Sequence, residues 1–288
     1  MELYGYPRHM AKAREAIKRD LRYIDIVIET LDARAPAATR TPEIQDMAWG
    51  KAHIIAFNKV DLADVEETEL WLAHFNEAGL FCIGTNASSG HGVAELLEGA
   101  QRLARSLIMK LREEGRRPRP LRAMVVGIPN VGKSSLINRI AGRAKARVGD
   151  RPGTTRAKQW IATGRDFELL DTPGLLWPRL EGPDSVFKLA AVGALAEGSF
   201  DVETVAIKLL EILATSSPSH IKSRFELESI PKLGHDLLEA IAKKRGCFRR
   251  GGVLDLARAA NLVLHDFRDG RLGRITLEPA PRDMIATV

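Results

Sequence analysis

The sequence predicts an α/β fold: a mostly parallel sheet with helices on both faces, followed by a small, mostly α-helical C-terminal domain. Three observations predict it. Short runs of strand character, Ile24–Leu31, His53–Phe57 and Leu80–Ile83, alternate with helix-compatible stretches, the pattern of a parallel sheet covered by helices. A glycine-rich turn, Gly127–Ser134, lies directly between an apolar strand and a plausible helix. Beyond Leu176 the strand pattern stops, and apolar residues recur at three- and four-residue spacing.

The elements follow in chain order. Ile17, Leu21 and Ile24 stand at helical spacing between charged positions, so an amphipathic helix over 10–22 opens the chain. The first two strands are separated by a helical stretch at Pro42–Trp49, and Val65–Ala78 is another before the third strand. A helix from Val93 to Glu114 leads into Gly115–Pro120, a Pro- and Arg-rich linker, because neither proline can continue the helix. Ala123–Val126 restarts the sheet, Ser135–Ile140 follows the glycine-rich turn as a helix, and Phe167–Leu170 is a further strand. Four helices come next, at Ser185–Leu195, Val202–Thr215, His235–Lys244 and Leu254–Phe267. In the last, Leu256, Ala260, Leu264 and Phe267 mark one face. Arg274–Leu277 reads as a late strand. The expected domains are 1–178 and 179–288.

Composition excludes several classes. With 288 residues the chain can bury a large core. Its two cysteines, Cys82 and Cys247, form neither a disulfide framework nor a zinc site. No stretch approaches a membrane span, and the N-terminus lacks a signal peptide's apolar core. A cytoplasmic protein without stable membrane association is the expectation. The net charge of +6 suits a polyanionic partner and a solvated surface equally.

The chemistry lies in five short segments. Gly127-Ile128-Pro129-Asn130-Val131-Gly132-Lys133-Ser134 matches G-x-x-x-x-G-K-[ST] in full. In such a loop the backbone wraps phosphates, and amides from Asn130 through Ser135 at the helix start donate to them. Lys133 would pair with β/γ oxygens, and the Ser134 hydroxyl with Mg²⁺. Asn58-Lys59-Val60-Asp61 ends a buried strand, where ligands bind in α/β sheets. An Asp61 carboxylate can accept from guanine N1–H and the exocyclic amine, a donor pair adenine lacks, while Asn58 and the Lys59 stem fit the rest of a base pocket. Asn86-Ala87-Ser88 partly matches a Ser-Ala-Lys-like loop whose alanine amide meets the guanine oxygen; a plain Gly/Ser turn is the alternative.

Asp171-Thr172-Pro173-Gly174 ends a strand, with the carboxylate holding Mg²⁺ through water and the Gly174 amide sensing the γ-phosphate. Arg151–Arg156 lies where a first switch should, and Thr155, in preference to Thr154, would coordinate Mg²⁺. GTP is the expected substrate. Leu175 and Leu176 follow Gly174, so the glutamine that orients water in Ras-like enzymes is missing. Asn130 resembles a potassium-binding asparagine, and a K⁺ ion there could supply charge. His9 is another catalytic candidate, with a surface or packing role as the alternative.

These boxes run in a permuted order. The guanine-reading segment and the partial Ser-Ala-Lys loop come first, then the phosphate loop, first switch and second switch. With Leu31–Pro36 in front, the chain resembles the circularly permuted ribosome-assembly GTPases, specifically the ribosome biogenesis GTPase A (YlqF) family. The resemblance also rests on Pro7–Ala13, Lys244–Cys247, Gly251-Gly252 and Asp266–Arg274, and covers nearly the whole chain. Arg8 departs from the family's glycine beside the histidine, and Phe225 from a frequent tyrosine. The resemblance implies a circularly permuted Ras-like P-loop GTPase domain and a C-terminal helical domain. It also implies a cytoplasmic role late in large-subunit assembly, rRNA contact and ribosome-stimulated hydrolysis.

Off the ribosome, the expected state is a monomer. Lys243, Lys244, Arg245, Arg249 and Arg250 cluster around glycines and can track phosphates, or simply solvate a helix end. Few aromatics accompany them, so recognition by RNA shape and backbone is expected rather than base stacking. The alternative function is a signalling-type GTPase acting on a protein or membrane partner without RNA. A P-loop kinase is disfavoured by Asp61.

Overall fold

The structure, a computed structural model, describes residues 8–115, 119–142, 159–163, 167–171 and 182–282; for residues 8–14, 111–112, 159 and 171 it describes the backbone alone. In chain order the first part holds α1 (Arg8–Leu21), β1 (Ile26–Asp32), α2 (Pro36–Thr39), α3 (Glu43–Met47), β2 (Ala52–Asn58), α4 (Val65–Glu77) and β3 (Cys82–Thr85). It continues with α5 (Val93–Leu103), α6 (Arg105–Glu113), β4 (Leu121–Val126), α7 (Lys133–Ala141), β5 (Gln159–Ala162) and β6 (Phe167–Asp171). The strands form one sheet in the order β3-β2-β1-β4-β6-β5. Every pairing is parallel except the edge pair β5–β6.

Side-chain alternation along the strands fills a core on each face of this sheet. Ile26, Ile28, Ile54, Ala56, Ala123 and Val125 point to one face, where they meet Leu96 and Ala100 of α5 and Leu136 and Ile137 of α7. Leu31, Ile55 and Phe57 point to the other, against Trp71 and Phe75 of α4. Asp64 caps α4 by accepting from the Glu67 amide at 3.0 Å, one of the donors a helix start leaves unpaired. After the linker, Arg119 grips Asp25 with two bonds of 2.7 and 2.9 Å, and the Arg122 amide adds a third at 2.9 Å. The rejoined chain is thus clamped to the start of the central strand.

The described residues fall into two units, one over residues 5–179 that takes the chain back at Thr276, the other Leu180–Ile275. The sequence placed everything from 179 to 288 in the second domain. It also expected a strand at Arg274–Leu277, and no strand forms there. The alternation of Ile275, Thr276 and Leu277 serves docking instead. The Leu277 amide donates to the Arg34 carbonyl at 2.7 Å, and the Glu278 carboxylate accepts from the Ala37 and Ala38 amides at 2.7 and 3.2 Å. Trp71 Nε1 donates to the Glu278 carbonyl at 2.9 Å, and Ala280 is buried in the α4-side core.

The second unit is helical: α8 (Pro183–Ala191), α9 (Val202–Ser216), α10 (Pro218–Phe225), α11 (Gly234–Lys244) and α12 (Leu256–Arg268). Helix α9 is central. It buries Val205, Ala206, Leu209, Leu210 and Leu213 and packs against the other four. Buried Asp266 of α12 holds Arg224 through two bonds of 2.8 and 2.9 Å and Arg271 through one of 2.9 Å, which ties α10 to the turn after α12.

Candidate functional site

The site residues gather at the carboxyl edge of the sheet because parallel strands deliver their C-terminal ends to one side. Register sets the row: Asp32 of β1 stands opposite Asn58 of β2, and Asn58 opposite Thr85 of β3. The glycine-rich loop leaves the end of β4, beside β1. Asp171 closes β6, opposite Val125 of β4.

The loop needs its glycines for close approach. Gly127 has φ +147°, and a Cβ there would lie 2.5 Å from the Thr30 carbonyl oxygen of β1. Gly132 has φ +102°, and a Cβ there would overlap Asn58 Nδ2. Asn130, at φ 61°, also adopts the left-handed conformation. The backbone then enters α7 at Lys133, whose ammonium is buried and donates to the Ile128 carbonyl at 2.7 Å. Ser134 and Ser135 occupy the first turn of α7, where the helix dipole favours an anion.

Asn58 joins the phosphate loop, the Ala87 loop and the end of β3. Its Nδ2 donates to the Val131 carbonyl at 2.8 Å, while Oδ1 accepts from the Ala87 amide at 3.0 Å and from Thr85 Oγ1 at 3.3 Å. Lys59, at φ 63°, reaches across to donate to the Asn130 carbonyl at 2.6 Å. Asp61, three residues beyond Asn58, is exposed. Its carboxylate has the freedom to meet a ligand that the buried Asn58 lacks.

The Ala87 loop is tied down by bonds of its own. The Ala87 amide, read as a donor to the guanine oxygen, is engaged by Asn58, so a bound base must share or displace that bond. The Asn86 carboxamide turns onto its own loop and accepts from the Ser88 and Ser89 amides at 2.9 and 3.1 Å, an Asx turn. Arg139 of α7 holds the loop from below, donating to the Ala87 carbonyl at 3.2 Å and to the Ser88 carbonyl.

The sequence reading gave no role to Asp32 and Arg34. Asp32 is fully buried and pairs with the Lys59 ammonium at 2.8 Å. The Arg34 guanidinium grips it with bonds of 2.9 and 2.8 Å. Burial pushes the Asp32 carboxyl upward, but Arg34 and then Lys59 outweigh it and hold the group well below the usual carboxylate range. Asp32 thus orients Lys59 toward the phosphate loop. The signal available was a charged pair at the carboxyl end of an apolar strand.

His9 stands in the first turn of α1, where the backbone alone is described, as it is for Asp171. Thr155, Thr172, Gly174 and the remainder of both expected switches lie outside the described residues. Ser134, in the first turn of α7 after β4, and Asp171, the last residue of β6, follow from strands that pair side by side.

The basic cluster of the second unit is partly neutralised. Arg245 is half-buried, donates to the Arg224 carbonyl and lies 5.7 Å from the Phe225 ring centre. Lys243 pairs with Glu239 at 3.3 Å and Arg249 with Asp255 at 3.2 Å, while Lys244 and Arg250 are exposed. One aromatic accompanies them: Phe248 is 47% exposed.

Comparison with known proteins gives four findings. Residues 122–221 match the family model described as "50S ribosome-binding GTPase", a match that begins at the phosphate-loop strand and so omits the earlier base-reading segments. The chain is 41% identical to ribosome biogenesis GTPase A of Bacillus cereus over 278 residues, covering 96% of this chain and 94% of that one. Its fold is similar to GNP-bound YlqF from T. maritima, with TM-score 0.64 and 31% identity over 93% of this chain and 98% of that chain. A GDP-bound TM YlqF structure gives TM-score 0.63 at the same identity, over 92% and 98% of the two chains.

Proposed function

Because the chain belongs to the ribosome biogenesis GTPase A family, we propose that this GTPase is an assembly factor for the large (50S) ribosomal subunit. It binds pre-ribosomal particles and their rRNA in the GTP state and leaves on hydrolysis, working in the cytoplasm. The observation that carries this reading is the 2.8 Å bond from Asn58 to the Val131 carbonyl. It makes the guanine-reading strand end and the phosphate loop one hydrogen-bonded unit despite their reversed order.

In this reading Asp61 selects guanine through its two donors, and Asn58 and Lys59 hold the base pocket against the loop. Amides from Asn130 to Ser135 wrap the phosphates. The Lys133 ammonium exchanges its Ile128 contact for β/γ oxygens, so its charge is already aimed where negative charge builds in the transition state. Ser134 and Thr155, with Asp171 through water, would hold Mg²⁺, which would supply positive charge to the phosphate oxygens. Asn130 contributes to a K⁺ position, and Gly174 reports the γ-phosphate to the segment entering the helical unit. Residues 180–275 make the RNA contact.

GTP turnover measured with and without purified large subunits, at matched salt, tests this. Turnover rises with subunits and is faster in K⁺ than in Na⁺. Equal turnover with and without subunits would overturn the reading.

A further inference from the structure

We infer that the hairpin around Phe248 is a stacking site for an unpaired RNA base, resting on the reading of residues 180–275 as the RNA-contacting unit. The hairpin follows α11 directly. Buried Cys247 anchors one arm, and the Asp255 amide donates to the Cys247 carbonyl at 2.8 Å. Phe248 bridges to Leu254, and the Arg249 amide donates to the Val253 carbonyl at 2.8 Å, leaving Arg250, Gly251 and Gly252 in the turn. Paired positions share a face of an antiparallel ribbon. Phe248 therefore lies with Leu254 on one face, and Arg249 with Val253 on the other.

The exposure of Phe248 is selective. Among the described residues it is the one exposed phenylalanine, whereas Phe57, Phe75, Phe167, Phe187, Phe225 and Phe267 are buried. A hairpin closed by backbone bonds at both arms holds the ring half in water, offering a flat apolar surface rather than a mobile one. A base has a π-face that matches it in size. Charge selects the partner class. From Lys243 to Val253 the chain carries five cations and no carboxylate. Lys244 and Arg250 are exposed, and the pairs that Lys243 and Arg249 make with Glu239 and Asp255 involve partly exposed side chains that a phosphate can displace. An aromatic platform rimmed by cations fits a single-stranded or looped nucleotide better than duplex RNA, whose bases are already stacked.

The test uses the full chain and a labelled single-stranded RNA, with the same sequence annealed as a duplex for comparison, over a salt series. Wild type binds the single strand more tightly. Phe248→Ala and Phe248→Leu weaken single-strand binding by roughly 5- to 100-fold, the range of one lost base–aromatic stack. Phe248→Trp retains binding. The slope of log affinity against log salt is unchanged by Phe248→Ala and becomes shallower in Lys244→Ala/Arg250→Ala, since phosphate contacts alone release counterions. Thermal melting confirms that each variant is folded. If Phe248→Ala and Phe248→Leu bind RNA as wild type does while large subunits still co-sediment with the protein, the stacking site is overturned and the assembly-factor reading stands. If Phe248→Ala reduces subunit binding but leaves RNA affinity intact, the face serves a protein and the inference also fails. If wild type binds neither RNA nor subunits, the underlying reading fails with it.

Discussion

Asn58→Ala is the perturbation that most directly tests how the site is held together. The side chain is buried and makes three hydrogen bonds, to the phosphate loop, to the Ala87 loop and to the end of β3: to the Val131 carbonyl at 2.8 Å, from the Ala87 amide at 3.0 Å and from Thr85 Oγ1 at 3.3 Å. Truncation leaves a buried carbonyl and a buried amide without their partner. Each such orphan costs about 1–3 kcal/mol, so the variant loses roughly 2–6 kcal/mol. At about 2–4 °C per kcal/mol for a unit of this size, melting falls by roughly 4–24 °C. The phosphate loop and the Ala87 loop then have to be ordered by the nucleotide itself, so GDP affinity falls by about tenfold or more, which corresponds to about 1.4 kcal/mol. Circular-dichroism melting of the ligand-free protein and titration with a fluorescent guanine nucleotide read the two effects separately. Thr85→Val removes only the longest of the three bonds and costs about 1 kcal/mol or less. If Asn58→Ala melts within a degree or two of wild type and binds GDP equally well, Asn58 does not join the loops, and the account of the site is wrong.

Three further outcomes follow from other parts of the structure. Asp61→Asn exchanges the acceptor facing guanine for a group that suits a carbonyl, so preference moves from GTP toward xanthosine triphosphate; competition binding that still favours GTP would remove Asp61 from the base pocket. Glu278→Ala takes the carboxylate from the Ala37 and Ala38 amides and should cost about 1.5–3 kcal/mol, the range for a hydrogen bond to a charged group; an unchanged melting temperature would mean that the tail does not stabilise the first unit. Asp32 has its folded-state pKa depressed. Its contribution is therefore fully present above the ordinary carboxylate value near about 4 and is lost as pH falls below it toward the folded-state value. Asp32→Asn is consequently less stable than wild type at neutral pH, and the difference narrows from about pH 4 downward; a stability gap constant with pH would contradict the buried ion cluster.

What could be read from the sequence depended on whether the signal was local. The phosphate loop and the Asn58–Asp61 segment were legible because each sits between elements with clear periodicity, and strand ends mark where parallel sheets bind ligands. The edge strand Gln159–Ala162 was missed: four residues with exposed Trp160 show too little alternation. Helix α10 was missed because Ser-Pro-Ser after α9 reads as a loop, although a proline at the first helical position is compatible with a new helix. The expected single helix from Val93 to Glu114 breaks at Ala104 with no glycine or proline to announce it. Arg274–Leu277 carried a strand's alternation, but its partners are the Arg34 carbonyl and the Asp64 amide, more than two hundred positions away. The same distance problem hid Asp32, whose meaning comes from Lys59, just past the end of the neighbouring strand.

The return of the chain at Thr276 extends the consequence of the permuted order. The helical unit is attached to the nucleotide-binding unit at both ends. One attachment follows the expected second switch directly. The other runs through Leu277 and Glu278 to the Arg34–Ala38 turn, next to the Asp32–Lys59 pair. In the proposed reading a GTP-dependent change at the second switch passes along the chain into residues 180–275, and the chain that leaves them is bonded to the first unit at Leu277 and Glu278.

Co-sedimentation of the full chain with large ribosomal subunits, in GDP and separately in a non-hydrolysable GTP analogue, tests the central claim most directly. The account predicts retention on subunits with the analogue and release with GDP at the same salt. Equal binding in the two nucleotide states, or none in either, would contradict it.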